Sequence, residues 1–343
     1  MPAAHPTPAG PSAPAARPLA VYTDLDDLDA GPGVDVLERA GFAVSVLETR
    51  DADEIVAAAR GAVALLVGYA PITAAMLDAL PDLRIIALLS RGADTVDVPA
   101  ATARGIWVAN LDDLSSDEVA EHTWAMTLTL LRRLPFFAAA VRRGAWLARP
   151  EPPPRRLSEV TIGLLGLGRI GAKVAALADG HVGGIVGYDP YLPESATPAG
   201  VRRTDLDEAV RTADVLCLHL PLTAETGGLV DADLLARMPA GSFLVNPSRG
   251  GLVDPAALVA ALDSGHLAGA ALDVLDVEPP PADHPLLHRD DVVLTPHIGY
   301  LSATTRRSYP EFQAGNVVAW LETGTPLSPL NSPAPRSTER SLS

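Results

Sequence analysis

The segment Thr161-Ile-Gly-Leu-Leu-Gly-Leu-Gly-Arg-Ile-Gly171 decides the fold. Its first half, Thr161 to Leu165, is mostly apolar and reads as a buried strand; Gly166, Gly168 and Gly171 follow in G-x-G-x-x-G spacing, and Ile170 to Ala178 continues as a helix. Strand, glycine turn and helix in that order form the phosphate-binding corner of a dinucleotide fold. Gly166 permits the tight turn, Gly168 lets a pyrophosphate approach the backbone, and Gly171 lets helix and strand pack closely. The helix N-terminus adds free N–H groups and a positive dipole end. A second apolar run, Ile185 to Tyr188, ends in Asp189, eighteen residues past Gly171. A carboxylate at that distance is placed to hold the ribose hydroxyls of NAD.

Working outward, the 343 residues suffice for two domains, and with 48% hydrophobic residues each can bury a core. No apolar run reaches the ~18–20 residues that span a membrane. A formal charge of −16 argues against nucleic acid, whose affinity rests on neutralising phosphates. It also requires any site for an anionic substrate to be built from a few local arginines. The single cysteine, Cys217, lies inside the apolar run Val215 to Leu220 and reads as a core thiol; the single lysine, Lys173, is a poor Schiff-base candidate. No His/Cys/Asp group has metal-ligand spacing, so no metal is expected. Residues 1–18 are Pro- and Ala-rich without an apolar core and read as a disordered tail rather than a secretory signal, which makes a cytoplasmic protein the expectation.

From Leu19 to about Asn110, short apolar runs alternate with helical patterns. Leu19–Tyr22, Ala43–Val46, Val63–Val67, Ile85–Leu89 and Ile106–Val108 are expected strands; Val34–Ala40, Ala52–Ala59, Thr73–Leu80 and Pro99–Arg104 are expected helices. That alternation means a parallel sheet covered on both faces. Gly68-Tyr69-Ala70 and Ser90-Arg91-Gly92-Ala93 follow the third and fourth strands, as ligand loops or as ordinary strand–helix turns. Ser115 to Arg143 reads as a long helix with Ser116 as N-cap and a kink or break at Pro135, serving an interface or the core. Beyond Asp189, strands are expected at Val215–Leu220, Ser242–Val245, Gly269–Leu272 and Val292–Leu294, with helices at Asp231–Ala236 and Pro255–Asp263. Thr304 to Glu322 is mainly helical and is expected to return to the first domain; 332–343 reads as a tail.

In open α/β sheets, ligands bind outside the carboxyl ends of strands. Asp189, Arg249, Glu278 and His297 each follow such an end and can converge. A nicotinamide cofactor implies hydride transfer, and reducing a 2-oxo acid then needs three groups. Arg249 offers a planar fork for the carboxylate and carbonyl, His297 a proton for the new alkoxide, and Glu278 a carboxylate to orient the histidine. Each also has a simpler reading: a surface ion pair for Arg249, a turn residue for Glu278, a core histidine for His297. His219 is the next histidine, placed to line a cofactor cleft; His122 falls on a helix, and His181, His266, His284 and His288 read as turn residues.

Five ordered motifs carry a resemblance. They are Gly-Leu-Gly-Arg-Ile-Gly at 166–171, His219-Leu-Pro-Leu-Thr-Ala-Glu-Thr226, Asn246-Pro-Ser-Arg-Gly-Gly-Leu-Val-Asp254, Gly269-Ala-Ala-Leu-Asp-Val-Leu-Asp-Val-Glu-Pro279 and Thr295-Pro-His-Ile-Gly299. Together they resemble the D-isomer-specific 2-hydroxyacid dehydrogenases from about Leu19 to Asn331. The resemblance implies a Rossmann NAD-binding domain (115–297) inserted into a flavodoxin-like substrate domain (19–114 and 298–331), both α/β with doubly wound parallel sheets. It implies an Arg–Glu–His catalytic set at Arg249, Glu278 and His297, and a homodimer formed through the helix after Asn110. Besides the three glycines, it implies cofactor contacts at Arg169, Ile170, Asp189, Pro221, Thr226, Ser248 and Asp273. Substrate contacts are expected at Gly68, Tyr69, Arg91, Gly92 and Arg249.

The departures lie in the substrate domain. The usual Val-Arg-Ser after the third strand is Val67-Gly68-Tyr69, which loses an arginine; the usual Gly-x-Gly before the Asp is Ser90-Arg91-Gly92, which supplies one. The first puts 3-phosphoglycerate in doubt, since its phosphate needs cations. Glu278 argues against a formate dehydrogenase, where that position is typically an amide. The expectation is an enzyme interconverting a 2-oxo acid and a D-2-hydroxy acid with NAD(H). The alternatives are an NAD-sensing interaction module like the C-terminal-binding corepressors and a phosphite-type dehydrogenase.

Overall fold

The computed structural model describes residues 17–25, 28–149 and 152–334. Most of the two expected tails lies outside the described residues. The chain divides into two compact units: one runs to Leu114 and resumes at Ala303, the other is Ser115–Ser302.

The first unit begins β1 (Leu19–Tyr22), α1 (Gly31–Arg39), β2 (Ala43–Val46), α2 (Ala52–Ala58), β3 (Ala62–Val67), α3 (Ala74–Ala79), β4 (Ile85–Leu88), α4 (Val98–Ala103) and β5 (Trp107–Ala109). The strands pair in the order β2-β1-β3-β4-β5, all parallel, which is the flavodoxin-like order. β4 is buried at every position and β3 at all but one, which explains their unbroken apolar runs. Ile55, Leu65, Leu77, Leu83 and Ile86 centre one core. Thr73 caps α3 through its side chain rather than belonging to it, and Asp51 and Asp97 cap α2 and α4 in the same way.

The second unit opens with α5 (Ser116–Leu131) and α6 (Leu134–Arg142). The expected single helix is thus two, separated by Arg133 in a left-handed conformation (φ 53°), with Pro135 in the first turn of the second one. Ser116 is not the N-cap: it is the first helical residue and is buried, while Ser115 holds the cap position without a side-chain cap bond. There follow β6 (Thr161–Leu165), α7 (Arg169–Ala178), β7 (Gly184–Tyr188), β8 (Val201–Arg203), α8 (Leu206–Thr212), β9 (Val215–Leu218), α9 (Ala232–Arg237), β10 (Ser242–Asn246), α10 (Pro255–Asp263), β11 (Leu267–Leu272) and β12 (Val292–Leu294). The sheet order β12-β11-β10-β9-β6-β7-β8, all parallel, is doubly wound with its reversal between β6 and β9. β8 and α8 were not anticipated. β8 is only Val-Arg-Arg at the sheet edge, too short and too charged to show a strand pattern.

Past Ser302 the chain rejoins the first unit as α11 (Thr305–Thr323). It packs on α1 and β4, and its Gln313 side chain donates to the carbonyls of Ala87 (2.9 Å) and Val67 (3.3 Å). The approach of α1 requires Gly33, where a Cβ would lie 2.7 Å from the Pro310 carbonyl oxygen.

Candidate active site

The glycine corner has the shape its sequence requires. Gly166 takes φ 96°, and a Cβ there would lie 2.4 Å from the His219 carbonyl oxygen. At Gly171 a Cβ would lie 2.2 Å from the Gly166 carbonyl oxygen. At Gly168 it would meet nothing within 4 Å. The first two glycines are demanded by the protein's own packing, whereas Gly168 leaves open space at the N-terminus of α7, where Arg169 and Ile170 begin the helix. That helix has no side-chain cap bond and no acidic residue in its first turn. An uncapped, unblocked N-terminus of a ten-residue helix suits a pyrophosphate.

Asp189 ends β7, and its carboxylate is fixed by three amides. Oδ2 accepts from Leu167 N (2.9 Å); Oδ1 accepts from Tyr191 N (2.9 Å) and Leu192 N (3.1 Å). The carboxylate therefore ties the glycine loop to the loop after β7, with acceptor capacity left for a diol. Sequence reading missed Arg203, because it sits on the unanticipated β8. Its Nη2 donates to the Asp189 carbonyl oxygen at 2.7 Å while its Nη1 is buried.

The remaining expected cofactor residues build the loops around the sheet reversal. Thr226 Oγ1 donates to the Pro221 carbonyl (2.6 Å), bracing the turn after β9. Ser248 Oγ donates to the Leu218 carbonyl (2.6 Å). His219 lies beneath the glycine corner with both ring nitrogens buried and without a hydrogen bond; burial pushes its pKa down to about 4. It is a neutral wall, not an acid. Burial likewise pushes the Cys217 thiol up to about 12, as expected for a core cysteine.

A histidine–glutamate pair forms beyond β11 and β12 of the same sheet. His297 Nδ1 lies 2.7 Å from Glu278 Oε2, and Glu278 Oε1 accepts from Leu275 N at 2.9 Å. Burial pushes the Glu278 carboxyl up. The His297 hydrogen bond and charge, the Leu275 amide and the Arg249 charge outweigh it and hold the carboxyl below its usual range. Arg249 follows β10, its backbone carbonyl accepting from Asn246 Nδ2 (2.9 Å) and its Nη1 donating to the Ser248 carbonyl (2.8 Å). Gly250 brings this loop against the Glu278 loop: a Cβ there would lie 1.9 Å from the Leu275 carbonyl oxygen.

His297 is held in a left-handed backbone conformation (φ 56°), costly for a residue with a Cβ. Asp273 sustains it. The Asp273 carbonyl accepts from His297 N (2.8 Å), and its buried carboxylate accepts from Thr295 Oγ1 (2.6 Å), Ile298 N (2.9 Å) and Gly299 N (2.8 Å). His122 joins this network through Thr295 Oγ1 at 3.0 Å. Asp273, expected as a cofactor contact, is thus also the clamp of the histidine loop, a role invisible in the sequence. His284, read as a turn residue, is buried with Nε2 3.1 Å from Asp276 Oδ1, behind the Glu278 loop.

In the first unit, the loops expected to face substrate both lie at carboxyl ends of strands. Ser90 Oγ donates to the Gly92 carbonyl (2.7 Å), shaping the turn that carries Arg91, whose Nη1 is 3.6 Å from Asp113 Oδ1. Tyr69 N and Ala70 N donate to the carboxylate of Asp24 at 2.8 and 3.1 Å. Asp24 and its partner Arg50 were not among the expected site residues. No group of three or more potential metal ligands occurs among the described residues, and no helix there is long and apolar enough to cross a membrane.

Comparison with known proteins agrees with this fold. Residues 124–299 match the model of the D-isomer specific 2-hydroxyacid dehydrogenase, NAD binding domain. A D-3-phosphoglycerate dehydrogenase of Mycobacterium bovis is 41% identical over 255 residues, which are 74% of this chain and 48% of that protein, so the chain spans about half the length of this relative. A glyoxylate reductase of Thermofilum pendens is 38% identical over 271 residues, 76% of this chain and 78% of that protein. Among solved structures, an NADPH-dependent glyoxylate/hydroxypyruvate reductase of Sinorhizobium meliloti, in complex with NADP and malonate, superposes with a TM-score of 0.81 at 33% identity. That match covers 92% of this chain and 97% of that one. The chain belongs to the D-isomer specific 2-hydroxyacid dehydrogenase family, and its second unit carries that family's NAD-binding domain.

Proposed function

We propose that this protein is an oxidoreductase that interconverts a 2-oxo acid and a D-2-hydroxy acid with NAD(H). The observation that carries the reading is the 2.7 Å contact between His297 Nδ1 and Glu278 Oε2, with the Arg249 charge acting on the same carboxylate, all at carboxyl ends of one Rossmann sheet. When bound, the nicotinamide supplies the hydride. Gly166, Gly168, Gly171, Arg169 and Ile170 hold the pyrophosphate, and Asp189 holds the adenosine ribose. Pro221, Thr226, Ser248 and Asp273 shape the rest of the groove. Arg249 binds the substrate carboxylate and polarises the 2-oxo group through its planar fork. His297 protonates the alkoxide oxygen from Nε2, because Nδ1 is engaged by Glu278, and accepts that proton in the reverse direction. Glu278 orients the ring and stabilises the imidazolium. Gly68, Tyr69, Arg91 and Gly92 select the substrate.

NAD(H) is the preferred cofactor in this reading. The Asp189 carboxylate opposes a 2′-phosphate, and Arg203 is spent on the Asp189 backbone with its other terminal nitrogen buried. The protein acts as a homodimer through α5, α6 and the turn after them, a stretch that exposes Leu134, Val141, Trp146 and Leu147. Sedimentation of wild type and a Trp146→Asp/Leu147→Asp variant tests this: the wild type should sediment as a dimer and the variant as a monomer.

The functional test is NADH oxidation in the presence of glyoxylate, hydroxypyruvate, pyruvate, phenylpyruvate and branched 2-oxo acids. At least one should be reduced, with the D-isomer as product. Absence of turnover across the series, with NADH bound, would leave only a binding role.

A further inference from the structure

We propose that His284 is a positioning residue for proton transfer: it ties Asp276 to the Leu286 turn and thereby fixes the loop that aims Glu278 at His297; this rests on the 2-oxo acid reading above. Glu278 stands on an exposed segment, since residues 276–279 and 281–283 are all exposed. His284 closes that segment from inside, with its side chain only 6% exposed. The ring bonds to partners on both sides. The Leu286 amide donates to Nδ1 (3.3 Å), so Nδ1 carries no proton, and the proton on Nε2 is donated to Asp276 Oδ1 at 3.1 Å. Leu286 is 2% exposed and belongs to the core that includes Leu258 and Leu272. The ring is thus anchored to the core on one side and holds the loop on the other. Its own backbone is set by two bonds: His284 N donates to the Pro281 carbonyl (3.0 Å), and the His284 carbonyl accepts from Leu287 N (3.1 Å).

Three features separate this histidine from one that only fills the core. Asp276 lies between Glu278 and Leu275, whose amide donates to Glu278 Oε1 at 2.9 Å. Displacing Asp276 therefore displaces both the glutamate and the amide that orients it. The base of the loop is also not close-packed. A cavity of about 20 Å³ lies under it, lined by Asn246, Gly250, Leu272, Leu275, Asp276 and Leu286, so hydrogen bonds rather than contact alone must set its position. The same cavity borders the Arg249 loop, which Asn246 holds through its Nδ2 and the Arg249 carbonyl (2.9 Å), as His284 holds the Glu278 loop through Asp276. Two polar side chains thus fix the two loops that carry Arg249 and Glu278. A leucine at 284 would fill the core without any hydrogen-bonding requirement, whereas imidazole supplies one donor and one acceptor to the two ends of the loop. Glu278 faces His297 from the segment after β12 and Arg249 from the loop after β10, and Asp276 faces His284.

The test separates the two hydrogen bonds of the ring. In His284→Gln the amide nitrogen can reach Asp276 in place of Nε2. In His284→Asn the amide oxygen can replace Nδ1 for Leu286, but the donor to Asp276 is lost. Asp276→Ala removes the same bond from the exposed side, where folding is not at stake. For all three, reductive kcat and KM are measured against pH with the best 2-oxo acid, beside NADH fluorescence titration and thermal melts. Proton NMR follows the histidine resonances without turnover, that of His297 being identified by its loss in His297→Asn. His284→Asn and Asp276→Ala should each lower kcat about 10-fold and change KM and NADH affinity by less than about twofold. Both should move the His297 titration to lower pH, because the Glu278 carboxylate is no longer held against the imidazolium. His284→Gln should recover most of kcat and of the titration. An unmoved His297 titration in His284→Asn and Asp276→Ala, or equal losses in His284→Asn and His284→Gln, would overturn the proposal and make His284 a core-filling residue. If no 2-oxo acid is reduced at all, the His297 titration still decides for or against the positioning role.

Discussion

His297 Nδ1 sits 2.7 Å from Glu278 Oε2, while the same glutamate takes the Leu275 amide on its other oxygen. One carboxylate oxygen therefore belongs to the backbone and the other to the histidine. Glu278 is held below its usual range, so it remains ionised to lower pH than an isolated glutamate would. Stability contributed by this carboxylate is present above its unfolded-state pKa and is lost as pH falls through the depressed folded-state value. Reduction needs the imidazolium, so reductive kcat/KM should fall toward alkaline pH. Glu278→Gln removes the charge that favours imidazolium and should move that limb to lower pH. An unmoved limb in a pH–rate series would uncouple Glu278 from the titrating group.

Asp273 receives three hydrogen bonds from the segment that bears His297 and lies 2% exposed. Asp273→Asn keeps the volume but turns a donor toward at least one of those donors. We expect a loss of about 2–3 kcal/mol in urea unfolding and a fall in kcat greater than the rise in KM. Unchanged stability would mean that the left-handed His297 backbone is held by something else.

Two of the corner glycines, Gly171 and Gly168, should separate in their effects. Gly171→Ala places a Cβ 2.2 Å from a backbone oxygen and should destabilise the fold by about 1–3 kcal/mol. Gly168→Ala meets nothing within 4 Å and should leave the melting temperature nearly unchanged while weakening NADH binding. Thermal melts and NADH fluorescence titration read both. Equal NADH affinity for Gly168→Ala and wild type would remove the pyrophosphate from that corner.

Two like charges ~4 Å apart repel by ~4 kcal/mol at an effective dielectric of ~20, and solvent screening at a partly buried site leaves on the order of 1–2 kcal/mol. Asp189 should accordingly favour NADH over NADPH by roughly tenfold or more in kcat/KM. Asp189→Ala should narrow the gap from both sides, by losing ribose contacts and by relieving repulsion. Equal kcat/KM for the two cofactors in the wild type would contradict the assignment.

Arg91 lies 3.6 Å from Asp113 with 51% of its side chain exposed, a geometry open to both a surface pair and a substrate contact. Arg91→Ala should raise KM for the best substrate by more than it lowers kcat. Asp113→Ala should leave KM lower or unchanged. Kinetics of Arg91→Ala indistinguishable from wild type would assign Arg91 to the surface pair alone.

Both sheets were legible in the sequence, because strands buried on both faces must be written as unbroken apolar runs and because glycines at a phosphate corner are forced by sterics. Glu278 and His297 were legible as residues following strand ends, and Glu278 was expected as the carboxylate that orients the histidine; the 2.7 Å distance was not readable. What escaped had a common cause. Arg203 lies on a three-residue edge strand with no apolar pattern, and Arg50 and Asp24 meet across loops that are far apart in sequence. The clamp role of Asp273 depends on amides of a loop twenty-five residues later. The break between α5 and α6 was anticipated at Pro135, but it is made two residues earlier by the left-handed Arg133; proline tolerates the first turn of a helix, so the break falls before it.

The central claim, that His297 is the proton donor and acceptor, is tested most directly by the pH dependence of kcat for His297→Asn beside wild type, with NADH affinity measured on the same samples. The account predicts NADH binding close to wild type, a loss of about 10²–10⁴-fold in kcat and disappearance of the alkaline limb of the reductive profile. Near-wild-type kcat with the limb intact would contradict it.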